Sequence, residues 1–400
     1  MCWALVTRLK WGEYCVTFLN FINYHLRFNG YFTHVYKMAR LLDLPDELLE
    51  AIVAEGLSFQ DELSTPLQPC QPFTYIAWAK RATQAAEVIA QTNYLLRQLI
   101  LTCRRLYNLL QPMLYRQINT IRSAPLLNRF VRTFESSHAL ASNINSVTTF
   151  DVSLAGAMPL FYLPSITSVK LIRAHVRGYQ GVRDGAPNHM SPVESISLIA
   201  CGATDEKLSE LFKWPRSLKS LAYEINQSVL AAESSTLDLS RKYNCNTFVQ
   251  ALFHHRSSLE KLTFTRTEGC RRICDVPLNL SKFTALKTLS TTHAFLISGS
   301  VHERSIPRRL PPSLEELQIY YDEADRGGWC AMGAGFRHWL VPLLRQKTGR
   351  LPRLRKVDLI TPEAISSGRP YLRFVSSNWA QTELQAVRAE IPQDMNLVVS

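Results

Sequence analysis

The sequence has no uninterrupted apolar run approaching the ~20 residues that a bilayer-spanning helix requires, because Arg, Lys, Glu or Pro cuts every hydrophobic stretch. The aromatic opening, "WALVTRLKWGEYCVTFLNFINYHLRF", carries Arg8, Lys10, Glu13 and Arg27 and lacks a compact apolar segment before a small-residue cleavage site. A soluble protein without a secretory signal or membrane partner is the expectation. Catalytic signatures are also missing. No Gly-x-Ser-x-Gly elbow and no phosphate-cradling glycine loop of the Walker or Rossmann form occurs, so the chain reads as a non-enzyme with no cofactor.

Cysteine is sparse and unpatterned. Nine residues, an odd number, are scattered over 400, which fits buried thiols in a reducing compartment better than a disulfide framework. Cys270 and Cys274 form a CxxxC without a second Cys/His pair at zinc-ligand spacing, so no metal is expected. The sequons at Asn226 and Asn279 are coincidental in a chain read as cytoplasmic or nuclear. A long basic run interleaved with aromatics is absent too, which argues against nucleic acid as a partner. The net charge is nevertheless +12, and residues 38–120 hold seven Lys/Arg against eight Asp/Glu, so the excess lies mostly downstream. Such an excess matches an acidic partner surface or simple solvation.

What is present begins with "LLDLPDELLEAIVAEGL", residues 41–57. Pro45 at a first helical position, Asp46 and Glu47 in the first turn, and Leu44, Leu48 and Ile52 at i, i+4, i+8 describe a short amphipathic helix. Leu49 and Val53 widen the stripe and Gly56 ends it. A helix of about three turns is marginal alone, so the stripe must pack against something. A polar, proline-rich loop follows over residues 58–72, and a long Ala- and Leu-rich helical stretch then runs to Pro112.

Beyond residue 140 the pattern changes. Apolar hexamers begin at residues 147, 166, 193, 218, 259, 286, 314 and 354, from "VTTFDV" to "LRKVDL", each apolar at its first and fourth places. Helix-like pieces such as "DEKLSELFKW" from 205 and "NTFVQALFHHR" from 246 lie between them. The steps are repeat-sized, with two long gaps that hold insertions or an undetected unit, and each strand-plus-helix unit is too small to bury its own apolar face. The units must therefore stack into an arc of parallel strands with helices outside.

Strand side chains alternate, so the residues between the apolar ones face the arc. On this reading Ser220, Glu224, Lys261, Thr263, Thr265, Ser290, Glu316, Gln318, Tyr320, Lys356 and Asp358 form a polar, solvated target-binding face. His254 and His255 fall near a helix end, where imidazole can satisfy terminal carbonyls. The segment from 321 to 350 interrupts the pattern, and "SSNWAQTELQAVRAEI" followed by "MNLVV" reads as a C-terminal helix and strand that cap the stack.

The residues from 41 to 57 resemble the first half of an F-box, and "LLRQLILTCRRLYNLLQPMLYRQI", 95–118, resembles its second half. With the repeats, the chain is similar to F-box proteins with degenerate leucine-rich repeats, of the style common in filamentous fungi. The resemblance implies an α/β fold class: an N-terminal helical F-box-like module over 38–120 with an insertion at about 58–92, then an irregular leucine-rich-repeat solenoid over 121–400. Residues 1–37 become an N-terminal extension, disordered or a gene-model artefact, because Met38 opens the motif as a start would.

It also implies a role, that of the substrate-recognition subunit of a Skp-cullin-F-box ubiquitin ligase, with a Skp-type adaptor, a cullin ligase and an unidentified target protein as partners and no homo-oligomer. The adaptor-facing residues it assigns are Leu44, Pro45, Leu48, Leu49, Ile52, Leu96, Leu99, Cys103, Arg104 and Leu106. The competing expectation is a repeat scaffold that binds an acidic partner without ligase association.

Overall fold

Seven of the eight hexamers become strands that begin at their third residue, leaving the first two in the turn that leads in. The first residues of these seven, Ile166, Val193, Leu218, Leu259, Leu286, Leu314 and Leu354, are fully buried, so each plugs the core before its strand starts. The earliest hexamer is framed differently. Its strand starts at Ser146, and fully buried Ile144 takes the plug position, so Val147 is the fourth residue of its repeat rather than the first. The sequence suggests the wrong frame because the sixth place of that repeat is a polar residue, Thr149.

These assignments come from a computed structural model that describes residues 104, 107, 111, 115–121, 124–175, 189–201, 205–225, 245–266, 276–296, 306–320, 335–345, 349–360, 385 and 396–399. The chain divides into one unit of Met1–Pro69 with Tyr75–Asn119 and a second of Cys70–Thr74 with Thr120–Ser400.

The strands are β1 Gln117–Ile121, β2 Ser146–Phe150, β3 Ser168–Ile172, β4 Ser195–Cys201, β5 Ser220–Ile225, β6 Lys261–Arg266, β7 Thr288–Thr292, β8 Glu316–Tyr320, β9 Lys356–Ile360 and β10 Asn396–Val399. From β2 to β10 they lie in chain order, and every neighbouring pair is parallel. The fold is thus α/β with an open, all-parallel sheet. Parallel neighbours need a crossover, and crossovers are right-handed; in a sheet whose strand order never reverses, that hand sends each of them over the same face. Across the two long sequence gaps β5 pairs directly with β6 and β8 with β9.

The covered face is built from two rows of side chains. Val147, Val169, Ile196, Leu221, Leu262, Leu289, Leu317 and Val357 stand in register, and all are fully buried. The next row contains Leu171, Leu198, Tyr223, Phe264, Ile319 and Leu359, interrupted at Thr149 and Thr291, whose buried hydroxyls find no hydrogen-bond partner among the described residues. Two helices take the positions expected for them, Asp205–Phe212 and Cys245–Leu252. Phe248 of the second stacks on Phe264 with ring centroids 4.2 Å apart and meets Phe212 of the first at 6.3 Å, which fixes both helices to this face.

His255 follows in a short 3-10 turn, Phe253–His255. Its Nε2–H donates to the carbonyl of Phe212 at 2.6 Å, and its Nδ1 accepts from the Leu218 N–H at 3.4 Å. The imidazole does serve a helix-terminal carbonyl, but that of the neighbouring helix rather than its own. Acceptance at Nδ1 requires the neutral ring, and burial, aided by neighbouring His189 and His254, outweighs the opposing pull of the Phe212 bond and holds the pKa below the usual histidine value.

The strand exits share a device. Asp151 and Arg173, just after β2 and β3, and Ala200, at the matching place within the irregular end of β4, all adopt positive φ, between 51° and 54°. A non-glycine residue there costs about 1 kcal/mol or more. At the first two, a bidentate Arg173–Asp151 ion pair across the adjacent exits holds the turns together. Cysteine matches the expectation at Cys201, a buried free thiol, and departs from it at Cys245, which is wholly buried at its helix start and disulfide-bonded. Cys270 and Cys274 lie outside the described residues, as do residues 1–37 and 321–334. Residues 335–345 form a helix, and β10 pairs with β9 as the final strand.

Candidate functional site

The opposite face of the sheet carries the polar rows. In its first row Ser146, Ser168, Ser195 and Ser220 stand side by side, followed by Lys261, Thr288, Glu316 and Lys356. The second row runs Thr148, Lys170, Ser197, Ala222, Thr263, Ser290, Gln318 and Asp358. Glu224 and Thr265 pair across β5 and β6 in a third. The structure therefore places all eleven residues predicted for target binding on one face, and it adds the serines and Lys170 contributed by β2 to β4. The signal for these is present in the sequence: the same alternation holds in their hexamers.

That face is not uniformly solvated. Ser220, Glu224, Lys261, Thr263, Glu316, Gln318 and Lys356 keep contact with solvent, but Thr265, Ser290, Tyr320 and Asp358 are buried. The expectation of a solvated row fails at these four, and at Ser290, Tyr320 and Asp358 the cause is that polar side chains of β7, β8 and β9 close over one another. Ser290 Oγ–H donates to Gln318 Oε1 at 2.7 Å and Tyr320 Oη–H to the same oxygen at 3.3 Å. With its oxygen so occupied, the Gln318 amide turns its Nε2–H toward Asp358 Oδ2, 3.3 Å away, and Lys356 Nζ reaches that oxygen at 2.7 Å. The result is a connected network over β7, β8 and β9 in which Asp358, 6% exposed, is the terminal acceptor.

Two charged groups of the face are perturbed. Burial lowers the pKa of Lys170 and raises that of Glu224 to about 7. Both shifts have the same cause, loss of water around the charged form, as when a side chain lies low on a crowded sheet face. The sign for stability follows: the Glu224 contribution is complete below pH 4.5 and is lost as pH rises through about 7. Glu224→Gln is thus expected to be more stable than wild type at pH 8 and equal to it near pH 4. Since Glu224 retains some exposure, the gain is about 1–2 kcal/mol, read from urea unfolding at the two pH values. Equal stability differences at both would place the carboxyl in open solvent.

Just before the strands runs a third feature, carried by the hexamers but invisible to their apolar pattern. Their second residues, Glu194, Lys219, Glu260, Lys287, Glu315 and Arg355, alternate in charge along six consecutive repeats. Their backbones are stitched together, with Lys219 N–H donating to Glu194 O, Glu260 to Lys219, Lys287 to Glu260, Glu315 to Lys287 and Arg355 to Glu315, at 2.7–2.8 Å. Side chains pair as well, Lys219 with Glu194 at 2.7 Å and Lys287 with Glu260 at 2.8 Å. Exposed pairs of this kind add little stability, but a slip of one repeat would set like charges together, so the ladder favours the observed order.

Of the adaptor-facing residues, Leu44, Pro45, Leu48, Leu49, Ile52, Leu96, Leu99, Cys103 and Leu106 lie outside the described residues. Arg104 is helical and exposed, with exposed Tyr107 three residues on and thus on the same helix face. Among the described residues no group of three or more His, Cys, Asp or Glu is arranged to hold a metal ion, and no helix is long and apolar enough to cross a membrane. The named charges on the polar face balance, Lys170, Lys261 and Lys356 against Glu224, Glu316 and Asp358. Its chemistry is that of a hydrogen-bonding surface of hydroxyl, amide and carboxylate groups. Comparison of the chain with protein-family models and with curated proteins gives no match.

Proposed function

We propose that this chain is the substrate-recognition subunit of a Skp-cullin-F-box type ubiquitin ligase, docking on the adaptor through residues 38–120 and holding a target protein on the polar rows of a leucine-rich-repeat-like stack. The observation that carries this reading is the coincidence of Leu-Pro-x-Glu-Leu-Leu at 44–49 with Cys-Arg-Arg at 103–105 upstream of strand repeats. The parallel, chain-ordered sheet supports it, because such a sheet leaves one broad face for a protein partner while the crossovers occupy the other. Its action would be proximity: a bound target is presented at raised effective concentration to a ubiquitin-charged enzyme, with no chemistry from this chain.

The test is association of the full chain with an immobilised Skp-type adaptor. Helix-in-groove docking buries Leu48, and its truncation to Ala is expected to weaken binding by about 1.5–3 kcal/mol, more than tenfold, without a change in circular dichroism. Absence of adaptor association by the wild-type chain sinks the proposal, and undiminished binding by Leu48→Ala removes the assigned surface. The second reading, a scaffold for an acidic partner without ligase association, is favoured by the cation excess downstream of residue 120. It predicts partner binding that salt weakens and no adaptor in the complex.

A further inference from the structure

The excess of positive charge does not reside on the polar face, where the named charges balance. Among the described residues, exposed cations gather at the amino-terminal ends of strands β5 to β9. Because β5 to β9 are parallel and adjacent in chain order, the turns that lead into them line one edge of the sheet. Those turns, residues 213–218, 253–258, 276–286, 306–314 and 351–354, contain no Asp or Glu, and exposed Arg350 directly precedes the last of them. They present Lys213, Arg216, Arg256, Lys282, Arg308 and Arg353, all exposed. None of the six forms an ion pair with a described carboxylate; Glu210, three residues before Lys213, pairs with Lys207, and in the alternating ladder beside the turns Glu194 and Glu260 pair with Lys219 and Lys287.

We propose that this rim is a docking surface for an acidic polypeptide segment, distinct from the polar face of the sheet. Five neighbouring strands set its length at about 19 Å, so six cations give roughly one charge per 3–4 Å, close to the ~3.3 Å rise per residue of an extended chain of consecutive Asp or Glu. Four of the six are arginines, whose planar guanidinium groups match carboxylates in bidentate pairs.

A polynucleotide fits less well. Recognition of single strands relies on exposed aromatic platforms, and the Phe and Trp rings of these turns are not free, while exposed His254 lies against His189 with ring centroids 5.7 Å apart. Trp214 and Phe283 are buried, and the face of Phe253 is taken by Arg256, whose Cζ lies 4.5 Å from the ring centroid, and by Lys282 Nζ at 5.6 Å. The inference does not depend on adaptor docking, which concerns other residues.

The experiment is fluorescence anisotropy of a labelled ten-residue glutamate peptide with the full chain, in about 50 and 200 mM salt. Binding is expected at the lower salt, to weaken steeply at the higher, and to fall at least tenfold in the double variant Arg216→Glu with Arg308→Glu. Reversal at Arg132, exposed on the helix Ala124–Ser136, is expected to leave it within twofold. Should the double variant fold poorly by circular dichroism, neutralisation by Lys213→Gln with Lys282→Gln is expected to give a three- to tenfold loss.

Equal binding by wild type and the folded rim variants overturns the proposal, as does no binding of the peptide at low salt. A twenty-nucleotide oligothymidylate or a duplex of that length binding tenfold more tightly than the peptide, with loss in the same variants, would reassign the rim to nucleic acid. Intact adaptor association in the rim variants would show that the two surfaces fail or succeed separately.

Discussion

Replacing Phe264 by Ala is expected to destabilise the protein by about 3–5 kcal/mol in urea unfolding followed by circular dichroism. The ring is fully buried on β6 and lies between two others, Phe248 at 4.2 Å and Phe295 at 4.3 Å, with interplanar angles of 10° and 25°. Truncation leaves a cavity with an aromatic wall on either side, and neither wall can move in to fill it: Phe248 belongs to the helix Cys245–Leu252 and Phe295 to the turn of helix after β7. Each stacked pair also contributes about 0.5–1.5 kcal/mol beyond its buried area. The neighbouring residue is the control. Thr263 points to the other face and keeps contact with solvent, so Thr263→Ala is expected to change stability by no more than about 0.5 kcal/mol. Comparable losses at 263 and 264 would contradict the assignment of the two faces.

Acid is expected to weaken the fold through His293, which starts the helix His293–Leu296 immediately after β7 and is 5% exposed. Burial, and secondly the positive charge of Arg266, lower its pKa to about 4. The neutral ring is thus favoured in the folded state, and its contribution is complete above the ordinary histidine value of 6.5 and lost as pH falls toward 4. Between pH 7 and 4.5 the loss attributable to this residue is about 2–3 kcal/mol. His293→Gln removes the titration, so its stability should fall by correspondingly less over that interval even if it starts lower at pH 7. Parallel pH profiles for the two proteins would place the ring in contact with water. Glu224 titrates with the opposite sign over an overlapping range, so the histidine effect is best isolated in a Glu224→Gln background.

The elements themselves are largely legible in the amino-acid sequence. An apolar residue at the first and fourth places of a hexamer locates seven strands to within their start, and the helices Asp205–Phe212 and Cys245–Leu252 are marked by their own periodicity. The pattern misleads at the repeat around Val147, where Thr149 sits among apolar residues and displaces the apparent frame by three. It is silent on the alternating second places, Glu194 through Arg355, because a charge on a turn has no visible meaning until the turn beneath it is known. The assignment of Leu44, Leu48 and Ile52 to a docking stripe remains a matter of motif and spacing, to be decided by the adaptor experiment.

Period-two alternation is a local property of an extended backbone, so in the seven strands whose frame is legible the sequence alone determined which residues face the core and which face away. What happens to the residues facing away is a collective matter. Ser290, Gln318 and Asp358 come from strands 28 and 40 residues apart and become one network only because their strands are parallel and in register. The same stacking buries Tyr320 and Thr265 and gathers six cations from five separate turns along one edge. Hydrogen bonding and electrostatics act between neighbours in space, and only the tertiary structure says who those neighbours are.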